Sequence, residues 1–161
     1  MTSSDLHRSL PSLFSELVYG APEGGAFVLN PGDAGLLASL DQLTAEAASQ
    51  RSSGGASIAA HVDHLRYGLS LMNRWAAGEN PFRDARWAAS WERTRVTEEE
   101  WRGLRRDLRA AVDEWHGALQ STREVSGIEL DGVIGSVVHL AYHLGAIRQI
   151  DARARGPKAN D

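Results

Sequence analysis

Four of the six histidines in this 161-residue chain fall into two close pairs. His139 and His143 are four positions apart, and His61 and His64 are three positions apart. On a helix, each of these spacings places both rings of a pair on one face. Apolar residues recur around both pairs at helical spacing, so both histidine faces are predicted to point into the interior of the protein.

Imidazoles that point into one interior need partners. A buried nitrogen left without a hydrogen bond costs roughly 1–3 kcal/mol, and neighbouring rings would repel each other if protonated. A divalent metal ion removes both problems, because it takes neutral imidazole nitrogen as a ligand at about 2.0–2.1 Å. The pairs therefore favour a metal site over the alternative, in which each histidine is a singly hydrogen-bonded core residue. Leu140, Ala141 and Tyr142 separate the second pair, so the His-Glu-x-x-His pattern of metalloproteases is absent.

The elements that must position these histidines are predicted to be helices, because no segment alternates convincingly with period two. Asp33, Ser57 and Thr97 are the expected N-terminal caps, and Thr97 begins a capping box with Glu100. The predicted helices span 5–19, 33–49, 57–75, 97–119 and, starting at Leu130 or Asp131, 131–152. A shorter helix is expected within 81–96, and the five tryptophans are expected to be mostly core residues.

This pattern predicts an all-α fold, a four-helix bundle with one or two extra short helices. Residues 1–32 are expected to form an N-terminal helix and a loop packed on the bundle. Residues 33–153 are expected to form the bundle itself, and 154–161 a flexible tail.

Composition excludes several classes of function. The chain has no cysteine, so disulfides, thiolate metal sites and cysteine nucleophiles are ruled out. A net charge of −4 argues against nucleic acid and anionic membranes as partners. No apolar run approaches the roughly 20 residues of a membrane span, and Met1 to Leu10 does not resemble a secretory signal. We expect a soluble, cytoplasmic protein that acts on a small molecule, and a homodimer is left open.

Two segments resemble the DinB-like (DinB/YfiT-like) superfamily. They are Ser57-Ile followed by five residues and His64, and His139-Leu-Ala-Tyr-His143-Leu-Gly-Ala-Ile. The resemblance covers about residues 33–153. It implies a four-helix bundle that carries one divalent metal ion, usually nickel or zinc, on three histidines. Carried over by position, the ligands are His64, His139 and His143.

The chain departs from that superfamily in two places. Many relatives have Gly-Gln-Ile after the last ligand, whereas this chain has Gly145-Ala146-Ile147 and so lacks one polar group. His61 is an additional histidine one turn before the first ligand. It is a candidate fourth ligand, a hydrogen-bonding partner behind a ligand, or a base in the pocket, and the alternative is a helix-edge residue with no role.

Three neutral ligands leave a metal ion with its full charge and an open coordination position, as in catalytic zinc sites. Such an ion lowers the pKa of a bound water or deprotonates a coordinating thiol. The resemblance implies thiol transferases that use low-molecular-weight thiols such as bacillithiol or mycothiol, or hydrolases. We therefore expect a metal-dependent enzyme of one of these types, in which Gly68 leaves room beside the metal. The alternative is a non-catalytic, metal-stabilised or stress-response module.

Overall fold

A computed structural model of the chain describes residues 3–51, 55–121 and 124–159. Over these residues the chain is helical and forms no strand, and a single antiparallel bridge joins Arg51 and Ser57. The predicted all-α class is therefore confirmed. The α-helices are α1 (Ser3–Tyr19), α2 (Gly35–Asp41), α3 (Ala45–Ser49), α4 (Ile58–Ala76), α5 (Glu98–Gln120) and α6 (Gly127–Ile150). The 3-10 helices are η1 (Pro81–Asp84), η2 (Trp87–Trp91) and η3 (Ala152–Ala154).

The long helices begin where side chains satisfy their first backbone N–H groups. The Ser57 hydroxyl accepts from the N–H of Ala60, and Thr97 forms the predicted capping box with Glu100. Helix α6 begins at Gly127, three to four residues earlier than predicted, because the Glu129 carboxylate accepts from the N–H of Ser126. The predicted start at Leu130 or Asp131 did not include this second capping box.

The single helix predicted over 33–49 is wrong. The chain forms α2 and α3 with a break between them, and the Thr44 side chain caps α3 by accepting from the N–H of Ala47. Asp33 is not the N-cap of α2. Its carboxylate instead accepts from the N–H of Gly35, which has a φ of +76°, and pairs with Arg148. A Cβ on Gly35 would lie 2.5 Å from the backbone nitrogen of Gly20, so this close approach of two segments requires glycine.

The four long helices enclose one apolar core. Helices α4 and α1 each pack against both α5 and α6, while α2 packs against α1 and α3 against α4. The predicted N-terminal helix, α1, is therefore one of the four helices around the core. The domain limits at residues 32 and 153 stay a prediction. The largest fully buried core side chains are Phe14, Leu17, Leu36, Leu40, Ile58, Leu65, Leu71, Trp101, Leu108, Trp115, Leu140 and Ile147.

The segment between α4 and α5 differs from the short helix predicted there. It forms η1 and η2, both of which pack on α4. Trp101 and Trp115 are fully buried, as expected, but 41% of the Trp87 surface is exposed. The apolar one-turn spacing of Trp87 and Trp91 therefore does not mark core residues; these rings cover part of α4 from outside.

The chain beyond α6 is held against the fold at its beginning, which differs from the predicted flexible tail. Ala154 is fully buried, and its carbonyl accepts from Nε of Arg148. The Arg155 side chain donates to the carbonyl of Arg148, and the Asn30 side chain donates to the carbonyl of Pro157. These contacts tie 154–157 to α6 and to the loop before α2.

Among the described helices, α6 alone has the length and apolar composition to cross a membrane. The core helix of a soluble protein passes the same test. Buried residues of α6, including Leu140, His143 and Ile147, face the interior where α6 packs on α1 and α4. Only 33% of the most apolar window of α6 is buried, so the core contacts account for part of its apolar composition and not for all of it.

The ion pair between Arg148 and Asp33 is predicted to stabilise the fold strongly. The two guanidinium nitrogens donate to the two carboxylate oxygens at 2.7 and 2.8 Å, and the side chains are 15% and 3% exposed. Arg148→Ala leaves a buried carboxylate without its cation, so we expect the free energy of unfolding to fall by about 3 kcal/mol in urea denaturation. Arg106→Ala, which removes an exposed pair with Asp107, should change it by less than about 0.5 kcal/mol. Equal effects of the two variants would contradict the prediction.

Candidate metal centre

The two histidine pairs meet in the structure because α4 packs against α6. Nε2 of His139 lies 3.1 Å from Nε2 of His64 and 2.9 Å from Nε2 of His143. These three residues offer one ligand atom each within a space that suits a metal ion, and His61 is outside this group. The structure therefore brings together the three histidines that the sequence analysis named as ligands.

The other ring nitrogens of two of these histidines have hydrogen-bonding partners. Nδ1 of His143 lies 2.7 Å from Nδ1 of His61, and Nδ1 of His64 lies 2.7 Å from Oγ of Ser90. The Ser90 hydroxyl donates to the carbonyl of Trp87, so it is left to accept from His64. If Nδ1 of His64 and of His143 carries the proton, Nε2 of each has a free lone pair for a metal ion.

The spacing of the three Nε2 atoms fits a metal ion. Ligand nitrogens at about 2.0–2.1 Å from a tetrahedral ion are roughly 3.3 Å apart. The observed separations of 2.9 and 3.1 Å are only a few tenths of an ångström shorter. Small ring movements, with both Nδ1 hydrogen bonds kept, would therefore admit the ion.

Burial keeps these rings neutral. Burial, together with the smaller effect of repulsion from the neighbouring histidines, lowers the pKa of His143 to about 3 and the pKa of His64 to about 4. Burial also lowers the pKa values of His61 and His139 below the ordinary value. At neutral pH all four imidazoles are in the uncharged form that binds metal.

No acidic residue joins the three histidines in the metal-binding group found among the described residues. Asp63, next to His64 in the sequence, is buried, but its carboxylate pairs with Arg66 at 2.8 Å and with Arg93 at 3.2 Å. Glu114 and Asp131 are exposed residues. The ligand set is therefore neutral, and an ion bound there would keep its full charge.

Aromatic rings shield the histidines from one side. Trp91 stacks on His64 with ring centroids 4.2 Å apart. It also makes a T-shaped contact with His61, with ring centroids 5.3 Å apart. The ring centroids of Trp87 and His64 are 5.5 Å apart. Tyr142, on the exposed side of α6, meets His143 edge-on with ring centroids 5.0 Å apart. The shield contributes to the burial that lowers the histidine pKa values.

Sequence reasoning missed Ser90 and the shielding role of the tryptophans. Both belong to the irregular segment from η1 to the end of η2, whose path over α4 has no periodic signal in the sequence. The Tyr67 hydroxyl accepts from the N–H of Arg86 and so helps to hold this segment. The contacts that hold Trp87 and Trp91 over the histidines are therefore seen only in the folded structure.

A cavity of about 460 Å³ opens beside the histidines between α4 and α6. His64 and His139 line it, whereas His143 does not. Gly68 is also part of the wall, and a Cβ added there would lie 3.5 Å from the Trp87 ring and 3.6 Å from the His139 ring. A single Cβ at Gly68 would thus already contact both rings, and room for a ligand beside the metal at this position stays a prediction.

Comparison with known protein families, with curated proteins and with solved structures finds no match for this chain. The function is therefore inferred from the residues of the chain and from their geometry.

Proposed function

We propose that this protein is a DinB-like metalloprotein that binds one divalent cation through Nε2 of His64, His139 and His143. The observation that carries the proposal is the convergence of these three nitrogens, with separations of 2.9 and 3.1 Å from His139, in neutral rings. The Nδ1 contacts of His64 and His143 support it, because hydrogen bonds at one ring nitrogen orient the other toward an ion. The packing of α1, α4, α5 and α6 around one core supports a four-helix bundle in which α1, outside the 33–153 range of the resemblance, is one of the four helices.

The cation, nickel or zinc in this proposal, acts when bound as a Lewis acid that lowers the pKa of a coordinated water or thiol. Three neutral imidazoles leave its charge undiminished and leave a coordination position free. We infer a metal-dependent enzyme of the cytoplasm that transfers a low-molecular-weight thiol to a small molecule, or hydrolyses one. The cavity beside His64 and His139 supports this inference, because it gives a substrate access to two of the ligands.

His61 is assigned in this proposal to positioning rather than to ligation. Its Nδ1 faces Nδ1 of His143, which is the nitrogen on the opposite side of that ring from the converging Nε2 atoms. In this arrangement Nδ1 of His61 accepts a hydrogen bond from Nδ1–H of His143, so the proton of His61 lies on its Nε2. The hydrogen bond holds the ring of His143 in place. The alternative function, a metal ion that only stabilises the fold, would need a closed set of four ligands and hence His61 bound directly to the ion.

Comparing two variants in the cobalt-loaded protein tests the proposed function. We expect His61→Ala to retain close to one cobalt ion per chain, with affinity lowered about 10- to 100-fold because one ligand loses its partner. His64→Ala should lose the ion at the same cobalt concentration. Added azide should change the cobalt absorption spectrum of the wild type and of His61→Ala, because a coordination position is open.

Two results would contradict the proposal. A wild-type protein that binds no cobalt, nickel or zinc would remove the metal site altogether. Equal loss of metal from His61→Ala and His64→Ala, together with a wild-type spectrum that azide does not change, would indicate four histidine ligands. The non-catalytic, metal-stabilised module would then replace the enzyme.

A further inference from the structure

The cavity beside the histidines, here called the α4–α6 cavity, has an apolar wall. Among the described residues that line it, none carries a charged side chain. Its wall consists of Leu65, Leu69, Met72, Phe82, Trp87 and three glycines, together with His64, His139 and Ser136. A charged group placed in such a wall would lose its hydration without gaining a partner, so the cavity disfavours charged ligands.

The one hydroxyl in this wall is already engaged. Oγ of Ser136 accepts from the indole N–H of Trp115 at 2.9 Å and donates to the carbonyl of Val133 at 2.7 Å. Polar recognition within the cavity therefore falls to the end formed by His64 and His139. The remainder of the wall can offer a ligand little besides apolar contact.

Glycines keep the cavity open on both helices. Gly132 and Gly135 lie one turn apart on α6, and a Cβ added to either would meet no atom within 4 Å. On α4, a Cβ at Gly68 fits in ordinary contact with Trp87 and His139, so a longer side chain there would extend beside the ligand histidines. Glycine within a helix costs about 1 kcal/mol relative to alanine. The open space is thus retained at positions where larger residues would favour the helices.

From these observations we infer that the α4–α6 cavity binds the uncharged, apolar part of a small substrate, an aryl or branched alkyl group. The polar end of that substrate lies at the histidine end of the cavity. This inference rests on the proposed function, because it places the reacting end of the substrate beside the ion held by His64, His139 and His143. It adds the substrate class: molecules with one apolar end, and not phosphorylated or multiply charged metabolites.

Three thiols that share a metal-binding head and differ in their tails test the inference. The probes are 2-phenylethanethiol, ethanethiol and 3-mercaptopropionate, each titrated into the cobalt-loaded protein in competition with azide. Burial of the phenyl ring in the cavity should make 2-phenylethanethiol bind at least about tenfold more tightly than ethanethiol. The charged tail of 3-mercaptopropionate should bind no more tightly than ethanethiol.

Filling the cavity should remove the preference for the phenyl tail and leave the metal site intact. Gly135→Leu fills it from α6, and Gly132→Leu fills it from the same helix if the first variant does not fold. In either variant we expect one cobalt ion per chain and unchanged azide affinity, with the phenyl and ethyl thiols bound equally. Gly117→Leu is the matched control, because Gly117 lies on α5 with open space around it and does not line the cavity. It should keep the tenfold preference.

The outcomes separate this inference from the proposed function. A protein that binds no metal overturns both. Metal and azide binding with equal affinities for the phenyl and ethyl thiols overturns the cavity inference alone. A higher affinity for 3-mercaptopropionate than for ethanethiol would also overturn it.

Discussion

His143→Ala is expected to lower the affinity for nickel or zinc by at least about 100-fold, so that the purified variant carries almost no metal. His143 is the most deeply buried of the three ligand histidines, 1% exposed, and it is held from behind by His61. Loss of a partner behind a ligand already costs 10- to 100-fold in affinity, and removal of the ligand itself should cost at least as much. Elemental analysis and equilibrium dialysis measure the effect.

His116→Ala is the matched control for that variant. His116 lies on α5 and stacks on Phe14, with ring centroids 6.1 Å apart, and it is not part of the three-histidine group. This variant should bind metal as the wild type does. Full metal retention in His143→Ala, or equal loss in both variants, would show that His143 is not a ligand.

Acid is expected to destabilise the metal-free protein over a defined pH range. The pKa values of His64 and His143 are lowered to about 4 and 3 in the fold, whereas both have the ordinary value of about 6.5 in the unfolded chain. Between pH 6.5 and 4 the unfolded chain binds protons at these two rings and the folded chain does not. The free energy of unfolding therefore falls as the pH falls, by about 1.4 kcal/mol per pH unit for each ring, or roughly 3 kcal/mol for both.

Urea denaturation of the chelator-treated protein at pH 7, 6 and 5 measures this slope. The double variant His64→Gln/His143→Gln should show a much shallower decline, because its replaced side chains do not titrate. In the metal-loaded protein the decline should coincide with release of the ion, since protons and metal compete for the same nitrogens. Equal slopes for wild type and double variant would contradict the low pKa values.

The helical class and the two histidine faces were predictable because both depend on local periodicity, whereas the choice of His64, His139 and His143 as the three ligands came from the family resemblance. Side chains three or four positions apart share a helix face whatever the rest of the chain does, so the pairs on α4 and α6 could be identified before any packing was known. The capping box of Thr97 was predictable for the same reason. Each of these features lies within one or two turns of helix.

Features that depend on contacts between distant segments were not predictable. At the break between α2 and α3, the carbonyl of Leu43 accepts from the indole N–H of Trp101, and the N–H of Ala45 donates to the Glu98 carboxylate, so both contacts are made with α5. The partner of His64 is Ser90, in a segment without a periodic pattern. The position of His61 behind His143 depends on how α4 and α6 pack together, and sequence spacing does not show that.

The distance along the chain between the ligand helices gives a bound ion a second effect. His64 and His139 are separated by 75 positions, so an ion held by both closes a long loop that contains all of α5. By the entropy estimate used for disulfides, a permanent cross-link around a loop of this length restricts the unfolded ensemble by about 4.5 kcal/mol. The chain has no cysteine with which to form such a link. The ion would therefore act as a reversible substitute for a disulfide, and its removal would increase amide exchange in α5, a helix that supplies none of the three ligand histidines.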